Sequence, residues 1–138
     1  DIRHLIAHGS LQTLSTEVFS DLYNTCYKNG KKIIPENIME LLKNSPLALA
    51  IWLMDDGNRN HQAVFLNTQS FSLDEQYKLA DSLNIVYGFN VTVNSHSRSK
   101  GKELFRIRIN TESTKKLKGI LKNYLLPSFY YKIPNFSP

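Results

Sequence analysis

Asp55 and Asp56 are adjacent carboxylates that follow the unbroken apolar run Leu49-Ala50-Ile51-Trp52-Leu53-Met54 and precede Gly57. Apolar residues go all round this run, which predicts a helix buried on several sides. The C-terminal end of a helix is partly negative, so carboxylates there are disfavoured unless a cation offsets them. Their delivery to that end suggests a cation site. The alternative is a core helix followed by an acidic turn capped at Gly57. Lysines form a second pattern: Lys32-Ile33-Ile34-Pro35 and Lys132-Ile133-Pro134 each place a lysine just before an apolar residue and a proline. His4, His8, His61 and His96 show no metal-ligand spacing, and no glycine-rich phosphate loop or Ser or Cys nucleophile arrangement is present.

Other features bound what must position these groups. A chain of 138 residues suits one compact domain with its own core. No segment is long and apolar enough to cross a membrane, so no membrane partner is expected. The first residues lack the pattern of a secretory leader. Cys26 is the single cysteine, which excludes an intrachain disulfide and a cysteine-based zinc site, and it reads as inert core filler. Trp52 and Met54 read as packing residues. Charge is uneven. Residues 90–138 carry ten Lys or Arg against Glu103 and Glu112, whereas residues 1–89 carry seven basic and ten acidic groups. A basic half suggests a polyanionic partner, most simply nucleic acid.

The hydrophobic periodicity gives an order of elements. Leu5-Ile6-Ala7 could end a strand. A helix is expected over residues 15–28, with Val18, Phe19, Leu22 and Cys26 on one face and Gly30 as its stop. A short helix capped by Asn37 should run through Lys43. Ser45-Pro46 should open the central helix. A strand is expected over residues 62–67, and Ser72 with Glu75 has the spacing of a capping box for a helix ending before Gly88. Phe89, Val91 and Val93 then alternate with Asn90, Thr92, Asn94 and His96, and Phe105, Ile107 and Ile109 with Arg106, Arg108 and Asn110. The two runs read as an antiparallel hairpin joined by a flexible basic turn over residues 97–102. A last helix is expected over residues 111–124. The fold class is therefore α+β, one antiparallel sheet with helices on its apolar face. The other face would hold Asn90, Thr92, Asn94, His96, Arg106 and Arg108, with Arg98, Lys100 and Lys102 in the turn. Amides and arginines almost free of acids suit base edges and phosphates.

At this point residues 49–57 resemble the motif of the LAGLIDADG homing endonucleases and related intron maturases. Leu49, Ala50, Asp56 and Gly57 match its consensus and Leu53 is a conservative replacement, while Ile51, Met54 and Asp55 depart from it. The departures resemble a two-repeat, intron-encoded branch of that family. So do Leu66-Asn67-Thr68-Gln69-Ser70-Phe71 and the two lysine segments, which resemble the ends of its repeats. The resemblance implies that residues 1–44 are the tail of a first repeat and residues 45–138 a second repeat. It implies site-specific cleavage of double-stranded DNA by metal-assisted phosphodiester hydrolysis. Asp56 would be a ligand of Mg2+ or another divalent cation, with Lys132 and Lys32 near the scissile phosphate. The active centre would need a first repeat or a second copy of this chain. The apolar face of residues 49–53 should likewise need a partner, since exposing it costs roughly 25 cal/mol per Å². The alternatives are an intron RNA maturase and a non-catalytic nucleic-acid-binding module of the same fold. The resemblance and the abundance of Asn, Lys and Ile suggest an organelle, the mitochondrion first.

Overall fold

A computed structural model describes residues 24–29 and 31–137. The expected strand at residues 5–7, most of the expected helix over residues 15–28, and His4, His8 and Gly30 lie outside the described residues. Asn24, Thr25 and Cys26 are helical and Tyr27 is already extended, so that helix stops short of Lys28. Two short strands follow, β1 (Tyr27–Lys28) and β2 (Lys31–Lys32), paired antiparallel with Tyr27 opposite Lys32.

Helix α1 (Ile38–Asn44) leads into α2 (Pro46–Asp56). Pro46 takes the first helical position, where its missing N–H costs nothing. Asn37 and Ser45 stand at the two cap positions, but neither side chain makes the capping bond expected of it. Strands β3 (Gly57–Asn60) and β4 (Ala63–Leu66) form a hairpin, α3 (Leu73–Tyr87) crosses the sheet, and β5 (Val91–Ser99) and β6 (Lys102–Ile109) form the long hairpin. Helix α4 (Thr111–Leu121) and a 3-10 turn (Pro127–Lys132) follow. The capping box forms as expected: the Glu75 amide donates to Ser72 Oγ at 3.1 Å and the Ser72 amide to Glu75 Oε1 at 3.1 Å. Gly88 closes α3 in the left-handed region at φ 68°. Helix α4 is capped by Asn110, whose Oδ1 accepts from the Ser113 amide at 2.9 Å.

Apart from the β1-β2 pair, the strands form one four-stranded sheet in the order β3-β4-β6-β5, all antiparallel. The expected α+β class, with one antiparallel sheet covered by helices on one face, is the observed fold. Val64, Leu66, Val91, Ile107 and Ile109 are buried from the sheet against Leu49, Leu53, Leu79, Leu83, Leu117 and Leu121 from the helices. Trp52 packs in the same core, its ring 6.0 Å from that of Phe71.

Several expectations are refined, among them the last helix, which ends at Leu121 rather than at residue 124. Strand β3 was not foreseen, and the strand expected over residues 62–67 is shorter at both ends. Gly57 does cap the helix, its amide donating to the Leu53 carbonyl, but it is extended at φ −73°, ψ 148° and starts β3 directly. The basic turn over residues 97–102 shrinks to Lys100 and Gly101, because both adopt positive φ (51° and 77°) and a two-residue turn of that kind matches strand twist. Leu49 and Leu53 are 1% and 0% exposed, so the chain itself covers those two side chains, while Ile51 between them is only partly buried.

Candidate active site and nucleic-acid face

Helix α2 passes into β3 without an intervening loop, and Gly57 makes the junction possible. A Cβ at that position would lie 2.4 Å from the Leu53 carbonyl oxygen. Asp55 and Asp56 are thus fixed at the edge of the sheet. The Asn67 amide, just past β4, donates to the Asp56 carbonyl at 2.8 Å and ties the helix end to the next hairpin arm.

Three cationic or hydroxyl side chains converge on this helix end. Lys32 Nζ donates to Oδ2 of Asp55 and, at 2.5 Å, to Oδ2 of Asp56. The Tyr27 hydroxyl donates to Asp55 Oδ2 at 3.0 Å. Lys132 is buried and donates to the Met54 carbonyl at 2.6 Å, a cation placed where a helix end favours one. Sequence reasoning paired Asp56, Lys32 and Lys132, and the structure brings all three to one helix end. It missed Tyr27, which sits in a strand too short to leave a periodic signal.

The electrostatics follow from this crowding. Burial pushes the Asp56 carboxyl above its ordinary range, Lys32 opposes that shift, and Asp55 adds to it. Burial disfavours the Lys32 ammonium, but its bonds to Asp55 and Asp56 outweigh burial and hold the group charged. Burial lowers Lys132, with both aspartates opposing. Burial raises the Tyr27 phenol to about 12, helped by Asp55. Two carboxylates offer hard oxygen donors of the type that Mg2+ takes one or two of while keeping water in its remaining positions. Among the described residues no group of three or more His, Cys, Asp or Glu could hold a metal ion. The donor chemistry fits a divalent cation, and the donor number fits one that draws further ligands from outside this cluster.

The open face of the sheet lies beside this helix end. Thr92 pairs with Arg108 and Asn94 with Arg106 across β5 and β6, so these four share one face, opposite the paired Val91–Ile109 and Val93–Ile107. Arg106 lies over Phe65, 3.8 Å from guanidinium carbon to ring centre. Asn90 is exposed just before β5 in the same alternation. His96 departs from expectation. A register shift between Ser95 and Ser97 leaves it without a cross-strand partner, and beyond the shift Ser97, Ser99 and Lys102 take the open face while Arg98 pairs with Glu103 on the other. Lys100 stands at the exposed tip. Asn58 extends the open face through its pairing with Phe65, and Asn60 follows in the same alternation. Sequence reasoning passed over both. An Asn-Arg-Asn run after a glycine carries no alternating apolar signal, although its amides were a visible hint.

An open antiparallel sheet presents amides and arginines on one face, and a helix delivers two acids to its edge, where lysines from a strand and a 3-10 turn meet them. Residues 6–117 match the LAGLIDADG DNA endonuclease family, and the chain belongs to that family. It is 32% identical over 124 residues to cytochrome b mRNA maturase bI2 of Debaryomyces hansenii, covering 90% of this chain and 45% of the relative. It is 30% identical over 128 residues to probable intron-encoded DNA endonuclease 3 of Mycosarcoma maydis, covering 89% of this chain and 90% of that protein. Among solved structures it resembles the homing endonuclease I-WcaI bound to its DNA recognition sequence. The TM-score is 0.66 at 26% identity, over 85% of this chain and 52% of the other. The chain therefore spans about half the length of the Debaryomyces maturase and of the I-WcaI chain.

Proposed function

We propose that this chain is part of a site-specific endonuclease that reads double-stranded DNA on its open sheet face and hydrolyses phosphodiesters at the C-terminal end of α2. One observation carries the reading: Asp56 is followed without a loop by the first strand of the sheet that presents Arg106 and Arg108. Acid and reading face form one rigid unit. Asn90, Thr92, Asn94, Arg106 and Arg108 would face the duplex from the strands, and Lys100 and Lys102 would meet backbone phosphates at the hairpin tip, with Arg98 turned to the opposite face.

Asp56 would hold Mg2+ or another divalent cation, which when bound supplies Lewis acidity at the reacting phosphate. Lys132, anchored on the Met54 carbonyl, places its amine beside both aspartates, where a phosphate must approach. Lys32 supplies a positive charge. In this reading residues 1–44 close a first repeat and residues 45–138 form a second. A first motif helix, or the same helix from a second copy of the chain, completes the centre with its own acid.

The decisive experiment is Asp56→Asn in the complete protein. The amide keeps the shape and removes the charge, so divalent-dependent cleavage should disappear under single-turnover conditions while binding to the target duplex persists. Equal cleavage by variant and parent overturns the assignment. The 32% identity to a cytochrome b mRNA maturase favours one second reading, assistance to intron RNA folding or splicing. It also suggests a mitochondrial setting. A chain that binds its intron RNA and supports splicing after Asp56→Asn would separate the two activities.

A further inference from the structure

We propose that Lys32 is an internal counter-ion tethered to Asp55 by Tyr27, and that a divalent cation entering the site displaces it from Asp56 alone. This rests on the reading of Asp56 as the cation ligand and adds a competitor to it. Lys32 bonds both aspartates through their Oδ2 atoms, but the two carboxylates are not equivalent. Asp55 Oδ2 accepts a second bond, from the Tyr27 hydroxyl at 3.0 Å. Tyr27 is also the direct cross-strand partner of Lys32, and its ring centre lies 5.7 Å from the ammonium. The backbone pairing of β1 and β2 thus holds the tyrosine, the lysine and Asp55 as one unit. Among the described residues Asp56 Oδ2 meets Lys32 and no other side-chain donor.

A divalent cation and an ammonium compete for the same carboxylate oxygen, and the exchange is easier at Asp56. Once displaced, Lys32 stays bonded to Asp55 at the margin of the site. Its charge is therefore retained beside the reacting phosphate. The side chains of Lys32, Asp55 and Asp56 are 16–19% exposed, so water screens the competition only partly.

The test is Mn2+ binding by the full chain without DNA, followed by the electron paramagnetic resonance of free Mn2+. Lys32→Gln keeps a hydrogen-bond donor and removes the charge. It should tighten Mn2+ binding about tenfold or more, on the scale expected when a unit charge a few ångströms from the ion is removed. Tyr27→Phe loosens the tether and lets Lys32 settle on Asp56. It should weaken Mn2+ binding about threefold, the worth of one hydrogen bond, and have no effect in the Lys32→Gln background. Thermal unfolding gives a second measure, in which Mn2+ should raise the melting temperature of Lys32→Gln more than that of the parent. Unchanged or weaker Mn2+ binding by Lys32→Gln, or equal thermal increments, overturns the competition. Undiminished Mn2+ binding by Asp56→Asn would instead overturn the assignment of Asp56 on which it rests.

Discussion

Replacing Gly57 with alanine should destabilise the chain by about 3 kcal/mol, the upper end of what overpacking a tight site costs. The geometry sets that magnitude. The new methyl would lie 2.4 Å from the Leu53 carbonyl oxygen and 2.6 Å from Leu53 Cδ1. The carbonyl cannot retreat, because it accepts the amide of Gly57 itself and closes the helix. The leucine has no space to turn into, since it is fully buried. The backbone conformation alone predicts the opposite. At φ −73° an alanine is unstrained, and the loss of unfolded-state freedom would stabilise the protein by roughly 0.4–1 kcal/mol. Urea unfolding of variant and parent separates the two through the shift in midpoint at constant slope. A neutral or stabilised variant would refute the argument that close approach, not backbone freedom, selects glycine here.

Arg106→Ala should weaken target binding by roughly 1–3 kcal/mol if the side chain reads a guanine edge. If it meets phosphate, the loss should be alike on all sequences and the slope of affinity against salt should fall. Titrations on target and scrambled duplexes at several salt concentrations distinguish these, and unchanged affinity and slope would remove Arg106 from the interface. Ser72→Ala should cost about 1 kcal/mol through loss of the α3 cap. Burial opposes ionisation of Glu75, but bonds from Ser72 hold it below its ordinary range. Its contribution is therefore present above that range and lost as pH falls through the lowered value. Unfolding of parent and variant across acid pH should show a shallower loss in Ser72→Ala. Burial pushes the Cys26 thiol to about 11, so alkylation at neutral pH should be slow in the folded chain and fast in urea. Equal rates would show the thiol to be open.

The helices and the long hairpin were legible because each carries a buried face at its own period. Leu79 and Leu83 in α3, and Ile107 with Ile109 in β6, mark those faces plainly. The α2 acids were legible because an apolar run ending in two carboxylates is electrostatically unfavourable without compensation. Other parts left no such trace. β3 is an edge strand whose Asn58, Arg59 and Asn60 are all exposed, so nothing alternates. The shift at His96 falls in a serine-rich stretch that is polar on both sides and fixes no register by burial. The Tyr27 contact depends on two-residue strands, and the Lys132 bond to Met54 spans 78 positions of sequence. Long-range contacts of this kind follow from the whole fold rather than from any local pattern.

That last separation bears on when the site comes into being. Lys32 precedes Asp56 by 24 positions and Lys132 follows Met54 by 78, so the helix end takes one lysine from upstream and one from far downstream. During synthesis the acids emerge with Lys32 already made. The Met54 carbonyl must wait for both hairpins, α3 and α4 before its own lysine exists. A chain still on the ribosome can pair its carboxylates internally, yet it holds no finished centre. Assembly of this cluster thus follows the making of both hairpins, α3 and α4, and a product that ends before the 3-10 turn retains the acids without the second lysine.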